Sequence, residues 1–585
     1  MNTAFSQDRQ TDCRAGHDRA PSLRPGSIWS IPPWVSTRCY ALGTPSARAM
    51  ITNARWWTSL LLTETSAEMW NLLPPRFTLE DIAAPLQAIG IDLAEADARA
   101  EVMGFLESLH GEGLLWSEDA LNPRPDHDAA KPVADGGAAV TSIEGEHFDW
   151  LVERGILPAV MIELTYRCNQ RCVHCFNPGA AHGPQEGSCR NGSELSTDEV
   201  FALLRELAAS GVFVVTFSGG ESSLRPDLLP ILREAKRLGL PFDVYTNGQL
   251  SEECLREICA LWPRTVGISL YSAVPEIHDA TTGVQGSFQR ALDSLRFVAQ
   301  AGVRASMKCP LMRHTVPGYK KLQELCDELN VQPQFDLHIT AGMDGNPSCT
   351  AHQIVDQQVL KSLMSDPRLP GYVGPDDPRL GRRRRAMDGT VCGAGTYALS
   401  IAPDGTVYPC NSLPLNLGNI RHSTLQEIRE GAVLAAWRSI TLADFDECGL
   451  HAHCAYCNHC PGMAMAEKAN LLAAPTTCCI TAQARMSRSR EIRAERAAPR
   501  AASPEFGWDA SIRLPPASLP VLGQGNSRCD PRRLPSREFV ERIANIRRQG
   551  NICRKNRVPQ VGSPAAENIR EADADRKDRL REFGR

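Results

Sequence analysis

Three cysteines stand close together in Glu163-Leu-Thr-Tyr-Arg-Cys168-Asn-Gln-Arg-Cys172-Val-His-Cys175-Phe176. Thiolates spaced C-x3-C-x2-C on one loop can hold a soft metal, and sulfur favours zinc or an iron–sulfur cluster over hard cations. Spacing alone leaves both open, because a structural zinc site wants four ligands and His174 could be the fourth. A second block holds Cys392, Cys410, Cys448, Cys454, Cys457, Cys460, Cys478 and Cys479. The chain has 21 cysteines. In a reducing compartment that density points to metal or redox work rather than disulfides. The scattered ones, Cys309 and Cys326 among them, read as packing thiols. A third chemical feature is Ser218-Gly219-Gly220-Glu221, where two glycines let a ligand approach the backbone and a carboxylate can pair with an ammonium.

The elements that must position these groups follow from hydrophobic period. Apolar runs at Val160–Leu164, Val212–Phe217, Phe242–Tyr245, Val266–Leu270, Arg304–Lys308 and Gln334–Ile339 predict strands. Amphipathic helices alternate with them at Thr197–Ala209, Leu228–Leu238 and Phe288–Ala301. The first opens on the capping-box pair Ser196 and Glu199. Strand–helix alternation implies a parallel sheet with right-handed crossovers, as an incomplete barrel or an open α/β sheet. Either way the active site lies at the carboxyl ends of the strands, where Cys168, Ser218, Asn247 and Ser269 fall. In the second block, Asp404-Gly405 reads as a hairpin turn that presents Cys410 on a short strand. Upstream, Thr78 followed by Glu80 and Asp81 predicts a helix start, and Val102, Phe105, Leu106 and Leu109 share one helical face.

Bulk properties narrow the class. A net charge of −5 gives no strong field for nucleic acid or anionic membrane. No apolar run approaches the roughly 18 residues of a membrane helix. No signal peptide is visible, so the expected location is cytoplasmic. Arg382-Arg-Arg-Arg385 reads as a solvated loop, and Arg537–Arg548 as a short helix in an otherwise polar tail.

The C-x3-C-x2-C loop with an aromatic after its last cysteine, opening an α/β unit, resembles the signature of the radical S-adenosylmethionine (SAM) family. The resemblance implies a 4Fe-4S cluster held by Cys168, Cys172 and Cys175, with one iron left for SAM. It implies Phe176 near the adenine, Ser218-Gly219-Gly220-Glu221 at the methionine amino group, and Asn247 and Ser269 as further SAM contacts. Ser222 stands where the family often has Pro. Cys392-x12-Gly405-x4-Cys410 with the dense run beyond it resembles the SPASM extension, which implies one or two auxiliary 4Fe-4S clusters. Cys392, Cys410 and Cys460 would belong to one, and Cys448, Cys457 and Cys479 to the other. His451 stands where a cysteine is common. It could ligate iron, Cys454 could take its place, or one cluster could be incomplete. Thr65-Ser-Ala-Glu-Met-Trp70 and Thr78-Leu-Glu-Asp-Ile, with the Phe105–Leu115 helix end, resemble PqqD-like recognition domains, which bind the leaders of precursor peptides. Ile268–Ser272 and Lys308–Met312 are similar to peptide maturases related to the pyrroloquinoline quinone peptide cyclase.

The expected architecture is therefore a partial (β/α)6 TIM-like radical SAM barrel with a cysteine-rich SPASM extension and a small α-rich N-terminal module. Its expected divisions are a disordered leader at 1–50, the PqqD-like module at 51–125, a linker at 126–150 and the core at 151–345. A loop-rich connection at 346–390, the SPASM domain at 391–485 and a mostly disordered tail at 486–585 follow. The implied activity is reductive cleavage of SAM, with electrons from a flavodoxin or ferredoxin, to crosslink or oxidise a ribosomally made precursor peptide. A maturase of a folded protein such as a sulfatase, and a non-catalytic iron–sulfur or zinc scaffold, are the alternatives.

Overall fold

Val35, Thr37, Ile51 and Thr52 are β-branched residues in a stretch otherwise crowded with Ser, Arg and Pro, and they fold as sheet. The computed structural model describes residues 27–118, 142–177, 193–342 and 348–497, apart from 43, 56, 57, 378, 381–388, 446 and 449. In the N-terminal module β1 (Trp29–Ser30) lies beside β5 (Arg76–Phe77) and β6 (Trp116–Ser117), and β2 (Val35–Tyr40), β3 (Arg48–Asn53) and β4 (Thr58–Thr63) form an antiparallel meander. The leader expected at 1–50 is corrected accordingly: its described part, from residue 27, carries β1, β2 and the first half of β3. The alternation there is broken by polar residues on the half-exposed face of β2, which hid it. The expected helix start at Thr78 is present as a capping box with Asp81. On the helix Ala96–Gly111, Val102, Leu106 and Leu109 are buried and Phe105 packs partly against the same core. Two three-stranded sheets thus join the helices expected of this module.

The polar stretch read as a linker also ends earlier than 150, because the helix Ser142–Glu153 occupies its last part. Glu144 on that helix accepts from Ser59 of β4 (2.8 Å) and pairs with Arg264 of the core (3.2 Å).

Six parallel strands follow: β7 (Ala159–Thr165), β8 (Val214–Gly219), β9 (Phe242–Thr246), β10 (Thr265–Ser269), β11 (Ala305–Pro310) and β12 (Gln332–Asp336). Helices Thr197–Ala209, Leu228–Arg237, Glu252–Ala260, Ser287–Gln300 and Tyr319–Glu328 alternate with them, and one apolar core fills the space between the two layers. These are the elements of the α/β radical SAM fold. The sheet does not stop at six strands. β13 (Ala398–Ile401) adds parallel to the outer edge of β7, and β14 (Thr406–Tyr408) and β15 (Gly418–Asn419) continue antiparallel, giving nine strands. The β13–β14 turn sits at Asp404-Gly405, with Gly405 at φ +83° as the hairpin requires. Cys410 lies just past β14 rather than on it.

Beyond the hairpin, the helix Thr476–Ala497 packs on the helix Gln357–Leu363 and the turn Ala452–Tyr456, with a Lys361–Glu491 pair at 2.6 Å. Ser489 and Ile492 are buried, so the expected boundary of the tail at 486 moves to at least 497. The Arg382–Arg385 run and the expected helix Arg537–Arg548 lie outside the described residues. No helix among the described residues is long and apolar enough to cross a membrane.

Candidate active site

β7 ends at Thr165, and the chain turns at once into the loop that carries Cys168, Cys172 and Cys175. The loop is pinned on two sides. Arg171 and Val173 donate backbone N–H groups to Thr282 (2.8 Å) and Thr281 (3.0 Å), at the end of the helix Pro275–Thr282. On the other side Gly220 and Glu221 donate to the carbonyls of Thr165 (2.7 Å) and Arg167 (2.8 Å). A Cβ at Gly219 would lie 2.3 Å from the Thr165 carbonyl oxygen, and one at Gly220 2.4 Å from that of Arg167. The space these glycines leave on that side is filled by the cysteine loop's own backbone.

The loop and the strand ends enclose a cavity of about 640 Å³. Cys168, Cys172, Cys175, Phe176, Ser218, Gly219, Gly220, Asn247 and Ser269 all line it. Glu221 does not. Its carboxylate is fully buried and accepts from Thr246 Oγ1 (2.9 and 3.0 Å), the Asn247 N–H (2.7 Å) and the Ser223 N–H (3.1 Å). Burial pushes its pKa up against these hydrogen bonds. In this structure the Glu221 carboxylate holds the β9 end in place through Thr246 and Asn247. Asn247 in turn donates to Asn169 Oδ1 (2.6 Å) and lies 3.8 Å from Cys168 Sγ, which ties the β9 end to the cysteine loop. Asn177 Nδ2 donates to the Gly219 carbonyl at 2.8 Å.

Burial raises all three thiols, Cys175 to about 11; Cys168 and Cys175 raise Cys172 further, and Cys168 raises Cys175. Three thiolates this close and this dry need cationic compensation, which iron supplies. The donor set therefore fits a cluster. Tyr271 was not singled out as a site residue, yet it backs the loop. Its hydroxyl is 3.9 Å from Cys172 Sγ, its ring meets His174 edge-on at 4.6 Å, and its backbone N–H donates to His278 Nδ1 at 3.1 Å. Tyr245, Lys308 and Asp336 also face the cavity, and only their strand register could have flagged them.

The second block forms two groups. Cys410, Cys460 and Cys392 act electrostatically on one another, with Cys392 exposed and Cys460 at the start of the helix Pro461–Lys468. Asn411 and Ser412 beside them line the main cavity. Cys448, Cys454, Cys457 and Cys479 line a separate cavity of about 180 Å³ with His451, His453 and His459. His459 Nδ1 is 3.4 Å from Cys448 Sγ. Among the described residues, no three His, Cys, Asp or Glu groups are arranged to hold a single metal ion, so the fit of Cys168, Cys172 and Cys175 is to a cluster, whose thiolates each bind a different iron.

The chain matches the Radical SAM superfamily over residues 162–325, an iron–sulfur cluster-binding SPASM domain over 392–461, and coenzyme PQQ synthesis protein D (PqqD) over 50–115. It is 30% identical to a PqqA peptide cyclase of Rhodopseudomonas palustris over 301 residues, covering 49% of this chain and 74% of the relative. It is 27% identical to an AdoMet-dependent heme synthase of Oleidesulfovibrio alaskensis over 334 residues, 51% of this chain and 80% of the relative. The crystal structure of Streptococcus suis SuiB bound to S-adenosylmethionine aligns with a TM-score of 0.41 at 15% identity, over 77% of this chain and 99% of that one. A SAM-dependent radical barrel with an iron–sulfur extension is the class that the fold, the family matches and the peptide-cyclase relative define. The chain belongs to the radical SAM/SPASM family of peptide maturases and carries a PqqD-like N-terminal domain. It is a peptide-modifying radical SAM enzyme whose cofactors are 4Fe-4S clusters and S-adenosylmethionine.

Proposed function

We propose that this protein cleaves SAM reductively in the cavity at the β7–β10 ends and crosslinks or oxidises a residue of a ribosomally made precursor peptide. Electrons come from a flavodoxin or ferredoxin, in the cytoplasm. We assign Cys168, Cys172 and Cys175 to the SAM-binding cluster. Cys392, Cys410 and Cys460 go to one auxiliary cluster, and Cys448, Cys454, Cys457 and Cys479 to the other. Cys454 replaces position 451 as a ligand because it completes four thiols around one cavity. When bound, the first cluster and SAM supply the reductive cleavage that turns one electron into a hydrogen-abstracting radical. Phe176, Ser218, Gly219, Gly220, Asn247 and Ser269 shape the wall against SAM. Tyr271 and the buried strand ends keep water from the reacting C–H bond.

One observation carries the reading: the three loop cysteines and the strand-end polar groups face one common cavity. The peptide substrate is favoured by the N-terminal module. The peptide-cyclase and heme-synthase relatives match this chain about equally, at 30% and 27% identity, whereas the PqqD match points to a peptide leader. The test is iron and sulfide per chain after anaerobic reconstitution, together with SAM cleavage under reduction. About twelve irons falling to about eight in the Cys168/Cys172/Cys175→Ala triple variant is the expected result. Zinc with little iron, or no cleavage of SAM, overturns it.

A further inference from the structure

Lys308 is the cavity's unusual group. It lies on β11 opposite Ser269 of β10 and Gln334 of β12. Its Nζ sits 3.6 Å from the centroid of the Tyr245 ring. Gly267 makes the room: a Cβ there would fall 2.7 Å from Lys308 Cε and 2.8 Å from Tyr245 Cδ1. The carboxylates that face this region from neighbouring strands have other partners. Asp243 of β9 pairs with Arg264 at 3.1 Å. Asp336 of β12 accepts from the His338 N–H at 2.9 Å, and Glu163 of β7 from the Tyr166 hydroxyl at 3.1 Å. Arg368, the other strong cation of the lining, is held by Asp327 at 2.7 and 2.8 Å. Among the described residues no carboxylate is within ion-pair distance of Lys308. Its ammonium rests on an aromatic face, with Asp243 and Asp336 acting on it only from beyond ion-pair distance, and these offset only part of the cost of drying a charge.

The position is deeper than the SAM-facing groups. Tyr245 and Gly267 precede Asn247 and Ser269 by two residues each, so the ammonium lies roughly 7 Å below the strand ends at about 3.3 Å per residue. A neutral peptide residue entering this floor and excluding water would leave the ammonium without a counter-charge in direct contact. A carboxylate would complete it with a charge-assisted hydrogen bond.

We propose that Lys308 is the specificity-determining cation of the substrate cavity and binds the carboxylate of an acidic residue in the peptide segment that is modified. The inference rests on the peptide-modifying reading above. Desolvation supports it, pushing the Lys308 amine down to about 8, so a bound carboxylate also keeps it charged. The test uses the full chain, reconstituted anaerobically with iron and sulfide and loaded with SAM. The probes are N-acetyl-L-glutamate N-methylamide and its glutamine counterpart. The glutamate probe binds at least about tenfold more tightly and protects Lys308 from acetylation, read by mass spectrometry. That preference fades as pH rises past about 8, where the amine loses its proton. Lys308→Met removes the preference, and Lys308→Arg restores part of it. Equal binding of the two probes to wild type, or binding of neither, overturns the proposal. A Lys308→Met protein that loses affinity for SAM while keeping the probe preference also overturns it, because the carboxylate recognised would then be that of SAM. Wild type that cleaves no SAM under reduction overturns both this inference and the reading beneath it.

Discussion

Replacing Gly220 with alanine would drive a Cβ to within 2.4 Å of the Arg167 carbonyl oxygen and 2.7 Å of that of Tyr166. Both are backbone atoms of the cysteine loop, so the loop itself must shift. A Gly220→Ala variant is expected to lose at least about tenfold in SAM cleavage, since misplacement of about an ångström is costly in a radical site, while its auxiliary irons remain. Iron per chain and SAM cleavage, measured on one preparation, check this. His278 gives a pH dependence. Burial holds its pKa down at about 4, below the ordinary imidazole value of 6.5, and its Nδ1 must stay unprotonated to accept from Tyr271. Its folded pKa lies below its unfolded one, so protons favour the unfolded chain. His278 therefore contributes no loss above about pH 6.5, and stability falls as pH drops from there towards 4. Urea midpoints at pH 7.5 and 5 test this, and His278→Gln should flatten the difference. At this scale the cysteine spacing was readable because thiolate clusters demand it. The task of Glu221 was not, because a buried carboxylate's partners, Thr246 and Asn247, lie 25 and 26 residues away.

Elements were legible where period and caps agreed. The helix Thr197–Ala209 has the bounds that its capping box implied. The six core strands lie within a few residues of their apolar runs, because a doubly covered parallel sheet buries nearly every side chain. β2 and β3 escaped notice because a meander with one wet face mixes Ser, Thr and Arg into its strands. The cap residue Glu199 has a second task that no local rule foretells. Arg421, after β15, reaches it at 2.6 and 3.1 Å and also donates to the carbonyls of Ser193 (3.0 Å) and Glu194 (3.1 Å). The Arg421 guanidinium holds the Glu199 carboxyl down at about 2, so this clasp persists through mildly acidic pH and is lost only as pH falls from about 4.5 towards 2. Arg421→Ala should cost about 1–2 kcal/mol. Faster hydrogen exchange confined to β14, β15 and the start of the helix Thr197–Ala209 is the local signature to look for.

On the scale of the whole molecule, the N-terminal module docks on the back of the barrel through two seams, one an apolar cluster in which Tyr40 and Met50 pack with Trp150, Phe213 and Val214, the other around Trp34. Trp34 packs against Trp262 at 5.1 Å, Arg38 donates to the Ala208 carbonyl at 2.8 Å, and Lys236 to the Pro33 carbonyl at 2.9 Å. Trp262→Ala should loosen the module without unfolding the barrel, and hydrogen exchange in β2, β3 and β4 would then quicken. If the module is the peptide's docking site, that variant keeps reductive SAM cleavage and loses peptide modification. The arrangement of modules along the chain could be read from motifs. Their joining into one sheet could not, since pairing between β7 and β13 leaves no trace in either strand's own sequence.

That pairing sets an order of assembly. The outer edge of β7 meets its partner only when Ala398–Ile401 are present, 239 residues after Ala159 by the numbers of the first paired residues (398 − 159). During synthesis, at roughly 5–20 residues per second, the ribosome takes on the order of ten seconds or more to supply them. For all that time the strand beside the cysteine loop has an open edge, the kind of surface on which chains pair wrongly with one another. The nascent barrel is therefore a client for protection until its C-terminal third emerges, and truncation before residue 401 should yield aggregates rather than a smaller enzyme.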